Sequence, residues 1–218
     1  MKFSLLVADC PYKFGDSLTM SEVKRGAASH YVTMSTQELI DLDVKSILAD
    51  QAILALWCPS SMLEDGFAIG RAWGFDKYVG TWTWVKRNKL SDKLAAIVQA
   101  RLHDFPPDVL EALLGAGKFA FGMGHVFRGA TEHALIFRRG KKIEVAQHRR
   151  NCYVGPSLPN HSEKPEALQN DLDAMYPEGE RLELFARRQR EGTPEWRCTG
   201  LECDGYDVRE ILAWVKEN

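Results

Sequence analysis

Residues 2–16 read KFSLLVADCPYKFGD, and the change at Asp9 decides how the chain is read. From Phe3 to Ala8 the residues are apolar or small, the pattern of a strand buried on both faces. An acid, a cysteine, a proline and a tyrosine follow at once. Ligands of α/β sheets sit beyond the carboxyl ends of strands, so an acid placed there invites a chemical role. The exocyclic amine of adenine or cytosine is a poor nucleophile, because its lone pair is delocalised into the ring. A site that alkylates it must accept its hydrogens. Asp9 offers one acceptor and the Cys10 carbonyl a second, its direction set by the extended backbone favoured before Pro11. The Tyr12 ring offers a surface on which a flipped base can stack. A plain strand-ending turn containing Asp and Pro is the competing reading of these four residues.

Composition narrows the field. A chain of 218 residues with 45% hydrophobic content supports one sizeable globular domain, read here as residues 1–218. The formal net charge of −2 excludes an overall basic field, so nucleic-acid binding has to come from a local patch. Five cysteines are scattered at positions 10, 58, 152, 198 and 203, never as C-x-x-C. That argues against a disulfide scaffold or zinc ribbon and for reduced thiols in a cytoplasm. The N-terminal apolar run is too short for a signal peptide, and nothing approaches membrane-spanning length.

Strand-like runs alternate with amphipathic stretches. Strands are expected at Phe3–Ala8, Ala52–Trp57, Tyr78–Val85, His133–Phe137 and Arg181–Ala186. Helices are expected at Thr36–Ser46, Ser61–Trp73, Lys164–Tyr176 and Tyr206–Lys216. Ser35 and Thr36 ahead of Glu38 make a helix-start signature, and Gly74 suits the position just past a helix. This alternation predicts an α/β three-layer sandwich with a mostly parallel sheet. Residues 89–118 break the rhythm with a helical pattern of their own, an insertion that either carries function or forms a stabilising surface hairpin.

Three further stretches can carry chemistry. His161-Ser162-Glu163-Lys164-Pro165 puts a lysine at a helix start, a good receiver for a carboxylate. RLELFARRQR (181–190) reads as a buried strand ending in arginines, which serve solubility or bind ribose hydroxyls and phosphates. In GMGHVFRGATEHALIFRRG (122–140), Arg128, Glu132 and His133 precede an apolar strand. Lys86-Arg87, the basic run at 138–142 and His148-Arg149-Arg150 would together make a positive rim around a site. No ligand cluster supports a metal, and no G-x-S-x-G elbow supports hydrolysis by a serine nucleophile.

Taken in order, these segments resemble the MT-A family of adenine-N6 methyltransferases. ADCPY stands for the family's A-D-P-P-W, YVTMSTQEL for Y-x-T-M-s-x-e-E, and ILALW is followed by AWGF. WTWVKRN, FRGATEHALIFRRG, HSEKP and an unchanged RLELFAR follow in family order over residues 3 to about 192. The resemblance implies a Rossmann-like class I methyltransferase fold with permuted motif order and S-adenosylmethionine as methyl donor. It assigns Asp9, Cys10, Pro11 and Tyr12 to catalysis, with Tyr12 in the stacking position of the family tryptophan. Lys164 would bind the methionine carboxylate of the cofactor, Arg187 its ribose, and Phe185 would lie beside its adenine. Lys86, Arg128 and Glu132 fall to the substrate side. The family departs here at Cys10, at Tyr12, and in its closing W-G-N-E/Q segment, which appears as Trp196–Glu202 with Leu201 in place of the asparagine.

Small stand-alone relatives of this kind belong to phages and bacteria, so DNA is favoured over RNA as substrate. Relatives often act in pairs, which leaves a homodimer or paired subunit open. A catalytically silent nucleic-acid-binding or partner-binding subunit is one alternative. An enzyme placing a different group on adenine is another.

Overall fold

The computed structural model describes residues 2–14, 33–88, 96, 106, 109, 119–120, 127–158, 162–192 and 195–217. Apart from three isolated positions, the expected insertion at 89–118 lies outside them, as do Tyr31, Gly122, Gly124 and His161.

The strands are β1 (Phe3–Asp9), β2 (Leu48–Cys58), β3 (Lys77–Arg87), β4 (Thr131–Arg139), β5 (Cys152–Pro156), β6 (Arg181–Leu184) and β7 (Arg197–Thr199). The helices are α1 (Thr36–Ile40), α2 (Leu63–Ala72), α3 (Ala167–Met175) and α4 (Val208–Glu217). The strands are hydrogen-bonded in the order β5-β3-β4-β2-β1-β6-β7. β1 pairs in parallel with β2 and β6, β6 with β7, and β3 with β5. This is the α/β fold that the strand–helix alternation predicts, with the Rossmann-like sheet that the family resemblance implies. The chain divides into two compact units. One comprises Met1–Thr81, Ala134–Arg149 and Asp171–Asn218, the other Trp82–His133 and Arg150–Asn170.

In the first unit β1 lies between two parallel partners, and Leu5, Leu6, Val7 and Ala8 are each at most 1% exposed. Burial on both faces is what a continuous apolar run demands. One core cluster gathers Leu6 and Ala8 with Leu54 and Leu56 of β2, Leu182 and Leu184 of β6, and Val208, Leu212 and Val215 of α4. The last three recur at helical spacing, so α4 turns one stripe to the core. α1 starts at the expected capping box: the Ser35 N–H donates to Glu38 Oε2 at 2.8 Å, and Glu38 N–H to Ser35 Oγ at 3.3 Å.

The direction of β4 follows from two tight glycines. A Cβ on Gly66 would meet Cys58 Sγ at 2.6 Å and Leu135 Cδ1 at 2.9 Å, whereas one on Gly140 would run into the Asp50 carbonyl. Leu135 therefore lies at the end of β2 and Gly140 at its start, so β4 runs against β2.

In the second unit Trp82 stacks on Tyr153 of β5, with ring centroids 6.0 Å apart. His133 is held by Thr83 Oγ1 at 3.1 Å and Thr131 Oγ1 at 3.2 Å.

Several element bounds differ from expectation for local reasons. The first helix stops at Ile40 because Asp41 caps it, and a separate 3-10 turn follows at Val44–Ile47. α3 begins at Ala167 rather than Lys164, because a residue before proline is disfavoured in helical backbone. β5 was not expected at all. Its Gly155 and Pro156 weaken any strand pattern, but β5 is an edge strand, where both are tolerated. β7, at the other edge, is three residues long, too short for its alternation to show.

Candidate active site

In the first unit the parallel register brings two distant motifs to one edge. Asp9 is paired with Trp57 of β2, and Ala8 with Leu184 of β6. The residue after Leu184 is Phe185, so the acid closing β1 and the start of the FAR segment share the carboxyl edge of neighbouring strands. Phe185 has φ of 60°, a left-handed backbone that is strained for an aromatic residue. Such strain costs on the order of 1–3 kcal/mol and concentrates at ligand clamps. It also ends β6 two residues before the expected Ala186.

The turn after Asp9 is pinned on both sides. The Tyr12 N–H donates to the Cys10 carbonyl at 2.9 Å, Met34 N–H to the Pro11 carbonyl at 2.7 Å, and Lys13 N–H to the Met34 carbonyl at 2.9 Å. The Cys10 carbonyl has a second lone pair for a ligand amine. Its thiol is another matter. Cys10 is buried, and burial pushes its pKa well up, with the Asp9 charge adding to the effect. A buried protonated thiol is inert, so this residue offers its backbone and not its sulfur. Tyr12 does not stand open as a stacking surface. It is 4% exposed, packs in the core and donates its hydroxyl to the Trp57 carbonyl at 3.1 Å. A buried phenol hydroxyl needs such a partner, and the Trp57 carbonyl supplies it. The bond ties the turn after β1 to the end of β2.

Beyond β6, Arg187 is exposed and its Nε lies 2.9 Å from Glu202 Oε2. Glu202 was assigned no role from sequence, although it stands at the E/Q position of the degraded closing segment. Asp204 folds that segment into a turn by accepting from the Gly200 N–H at 3.0 Å and the Tyr206 N–H at 3.2 Å. Leu201 is 57% exposed. Gly200 lies so close to Ala186 that an added Cβ would strike its carbonyl oxygen and come within 2.9 Å of its nitrogen. Backbone cannot give way as a side chain can. Gly200→Ala should therefore destabilise the protein by about 1–3 kcal/mol, seen as a lowered melting temperature. A variant melting with wild type would show that this close approach does not constrain the segment.

Asp173 locks the base of the same region. It accepts from Arg181 Nε at 3.0 Å and from Trp196 Nε1 at 3.0 Å, with Arg190 Nη1 3.6 Å away. Arg181 is 5% exposed and also donates to the carbonyls of Tyr176 and Pro177. This network joins α3, β6 and the segment leading into β7.

The second unit holds the other assigned side chains. Lys86 is ion-paired with Glu132, and its ammonium stands 4.7 Å above the Trp84 ring. Lys164 Nζ lies 3.4 Å from Glu132 Oε2 and donates to the Ser162 carbonyl at 3.0 Å. One carboxylate thus holds two ammonium groups, leaving a net positive cluster. Burial pushes Glu132 up, but the Lys164 and Lys86 charges outweigh it and hold its pKa below the ordinary value. A depressed carboxylate stabilises the fold above its unfolded pKa and loses that contribution as pH falls through its folded one. Acid titration of wild type should show this loss below the ordinary glutamate range, and Glu132→Gln should flatten that part of the profile. An unchanged profile in the variant would show the cluster to be energetically idle. Arg128 is exposed.

The positive rim does not form as expected. Arg138 to Lys142 follow β4 toward the Asp50 end of β2, the edge opposite Asp9 and Trp57. Among the described residues no group of three or more His, Cys, Asp or Glu could hold a metal ion.

The MT-A70 family model matches residues 3–109, the stretch that opens with Asp9 and its turn. Over that stretch, just under half of its length, the chain is similar to the MT-A70 family. It is 26% identical over 217 residues to Type II methyltransferase M.MunI of Mycoplasma sp, covering 92% of this chain and 78% of that protein. It is 25% identical over 175 residues to an N(6)-adenosine-methyltransferase MT-A70-like protein of Arabidopsis thaliana, and 23% over 204 residues to a probable counterpart in Oryza sativa subsp. japonica. The matched regions cover 80% and 94% of this chain but only 22% and 23% of those plant proteins.

Each unit holds groups of the kinds that S-adenosylmethionine bonds. Phe185, held in strained backbone, supplies an apolar ring beside the edge occupied by Asp9. Arg187 and Glu202 supply donors and acceptors of the kind a ribose diol bonds. The half-buried Lys164 supplies an ammonium for a carboxylate.

Proposed function

We propose that this protein is an S-adenosylmethionine-dependent methyltransferase acting on the exocyclic N6 amine of adenine in DNA, with residues 1–218 as one methyltransferase domain. The observation that carries the reading is Asp9 closing a buried strand, level with Trp57 and one step from the strained Phe185. The relatives' names support the class of reaction. When bound, S-adenosylmethionine supplies a methyl carbon attached to a sulfonium sulfur.

The chain's own groups do the rest. Asp9 and the Cys10 carbonyl accept the two N6 hydrogens and turn the nitrogen lone pair out of conjugation. As positive charge develops on that nitrogen, the Asp9 carboxylate stabilises it at fixed distance, without reorganising solvent. Lys164 anchors the carboxylate of the methionine moiety, and Arg187 with Glu202 orients the ribose. Catalysis is then positioning plus electrostatics, with no covalent enzyme intermediate. Lys86, Arg128 and Glu132 belong to the nucleic-acid side.

DNA is favoured over RNA on the match covering most of a Type II methyltransferase. The cytoplasm is the compartment, on the strength of five cysteines that are all free thiols. No helix among the described residues is long and apolar enough to cross a membrane. A homodimer or paired subunit fits the reading and is settled by sedimentation. A second reading, a silent subunit, draws on Glu202 already engaging Arg187. Nucleoside mass spectrometry of DNA incubated with the protein and labelled cofactor decides between them. N6-methyladenine should appear. Unmodified DNA and RNA across varied sequences would overturn the enzymatic reading, and an unexpected mass increment would show a different group transferred.

A further inference from the structure

We propose that the loop following β4, centred on Lys141, Lys142 and Arg149, is a second nucleic-acid backbone site on the edge of the sheet remote from the methylated base. The inference rests on the proposed activity for the identity of the partner, but not for the site itself.

Charge segregation is the first support. Residues 138–149 hold five Arg or Lys against Glu144 alone, a net charge of +4 in a chain whose total is −2. The other 206 residues therefore carry −6. A local patch in an acidic protein directs polyanions to one place and discourages coating elsewhere.

Pairing is the second. Elsewhere in this unit several exposed cations are matched, Arg187 with Glu202, Arg197 with Glu180, Arg209 with Glu38 and Asp207, and Lys216 with Asp43, while Lys13, Lys45, Arg71 and Lys77 stand singly rather than in a run. Lys141 and Lys142 are exposed and have no carboxylate partner among the described residues, and Arg149 reaches Asp171 only at 3.9 Å.

Presentation is the third. The loop is anchored rather than free. Gly140 turns in left-handed backbone (φ 68°) hard against the Asp50 carbonyl, Arg139 Nη1 donates to the Gly74 carbonyl at 3.2 Å, and the Ala146 N–H donates to the Met175 carbonyl at 2.9 Å. Held cations lose less freedom on binding than floppy ones.

Position sets the consequence. Asp50 and Trp57 are seven residues apart along β2, or about 23 Å at strand rise. A phosphate held at this loop is thus far from an adenine held at Asp9. Only a long or bent duplex, or a second segment of it, engages both. The site should strengthen binding of long DNA and leave a short duplex untouched.

The test compares wild type with a Lys141→Gln, Lys142→Gln, Arg149→Gln triple variant, on a short duplex and on one of several helical turns, across salt concentrations. Each lost phosphate contact lowers the slope of log affinity against log salt by about 0.9. On the long duplex the advantage of wild type over the variant should therefore shrink about 40-fold over a fourfold rise in salt. Glu144→Lys should tighten binding, and the Lys→Arg pair at 141 and 142 should bind like wild type. Methylation of the short duplex should be unchanged throughout. Equal affinity and equal salt slope for the triple variant on long DNA would overturn the proposal. So would loss of self-association in the variant with DNA binding intact, which would make the loop a contact with a second copy. Salt-sensitive loop binding without methylation would leave this site standing and remove the catalytic reading. Methylation with no loop effect would do the reverse.

Discussion

Asp9→Asn should abolish most methyl transfer while leaving the fold and cofactor affinity in place. An asparagine keeps the size of the side chain but turns a two-oxygen acceptor into one oxygen and one NH2 donor. The donor meets the N6 hydrogens of adenine with like polarity, and the remaining oxygen carries no charge to balance the developing positive nitrogen. Loss of one fixed electrostatic partner of a transition state costs roughly 10²–10³-fold in kcat. Stability should hardly move, because Asp9 is the last residue of β1 and only partly buried, while Leu5 to Ala8 carry the packing. The assay is labelled methyl incorporated into DNA under single-turnover conditions, with melting temperature and cofactor titration alongside. Near-normal turnover would remove the carboxylate from the mechanism. Loss of turnover accompanied by loss of folding would make it structural. Asp9→Glu separates charge from position: one added methylene keeps the charge and shifts it, so partial recovery would mean that charge is the larger contribution.

The sequence shows clearly whatever depends on a repeating burial pattern. β1 and the centre of β2 are legible as unbroken apolar runs buried on both faces, and α4 as an apolar stripe at helical spacing. The capping box at Ser35 is legible because it needs only two residues three apart. The two edge strands are not, since β5 ends in Gly155-Pro156 and β7 is short; edge strands are held by one neighbour and owe little to pattern.

The site divides the same way. Asp9, Lys164 and Arg187 stand out because charge at an element boundary interrupts an apolar run. What holds them does not stand out. Glu202 and the two-lysine grip of Glu132 join residues far apart in the chain, and no local pattern announces a partner fifteen to forty-six positions away. Tyr12 turns inward for a related reason. An aromatic ring after a catalytic acid suits stacking, but here a backbone carbonyl within reach of its hydroxyl draws it inward. The basic run at 138–142 was placed at the wrong edge because its position depends on β4 running against β2, a property set by Gly66 and Gly140 contacts rather than by composition.

Lys164→Ala should weaken S-adenosylmethionine binding far more than it weakens the fold. A charge-assisted bond to a carboxylate contributes roughly 1.5–3 kcal/mol, so the dissociation constant should rise about 10–150-fold. The fold should tolerate the change because Glu132 keeps Lys86 as a partner and is not left as a buried unpaired charge. Two companions tell a ligand role from a structural one. S-adenosylmethionine analogues lacking the amino-acid carboxylate should bind wild type and Lys164→Ala alike, since the lost partner is absent from both. Lys164→Arg should recover part of the affinity, because a guanidinium keeps the charge but presents a planar fork in place of a compact ammonium. Glu132→Gln runs the opposite way. It removes the anion that competes for Lys164, so carboxylate affinity should rise if the glutamate acts only as a competitor and fall if it fixes the ammonium in place. Normal cofactor binding by Lys164→Ala would take this lysine out of the cofactor site and leave it serving only the ion cluster with Glu132 and Lys86.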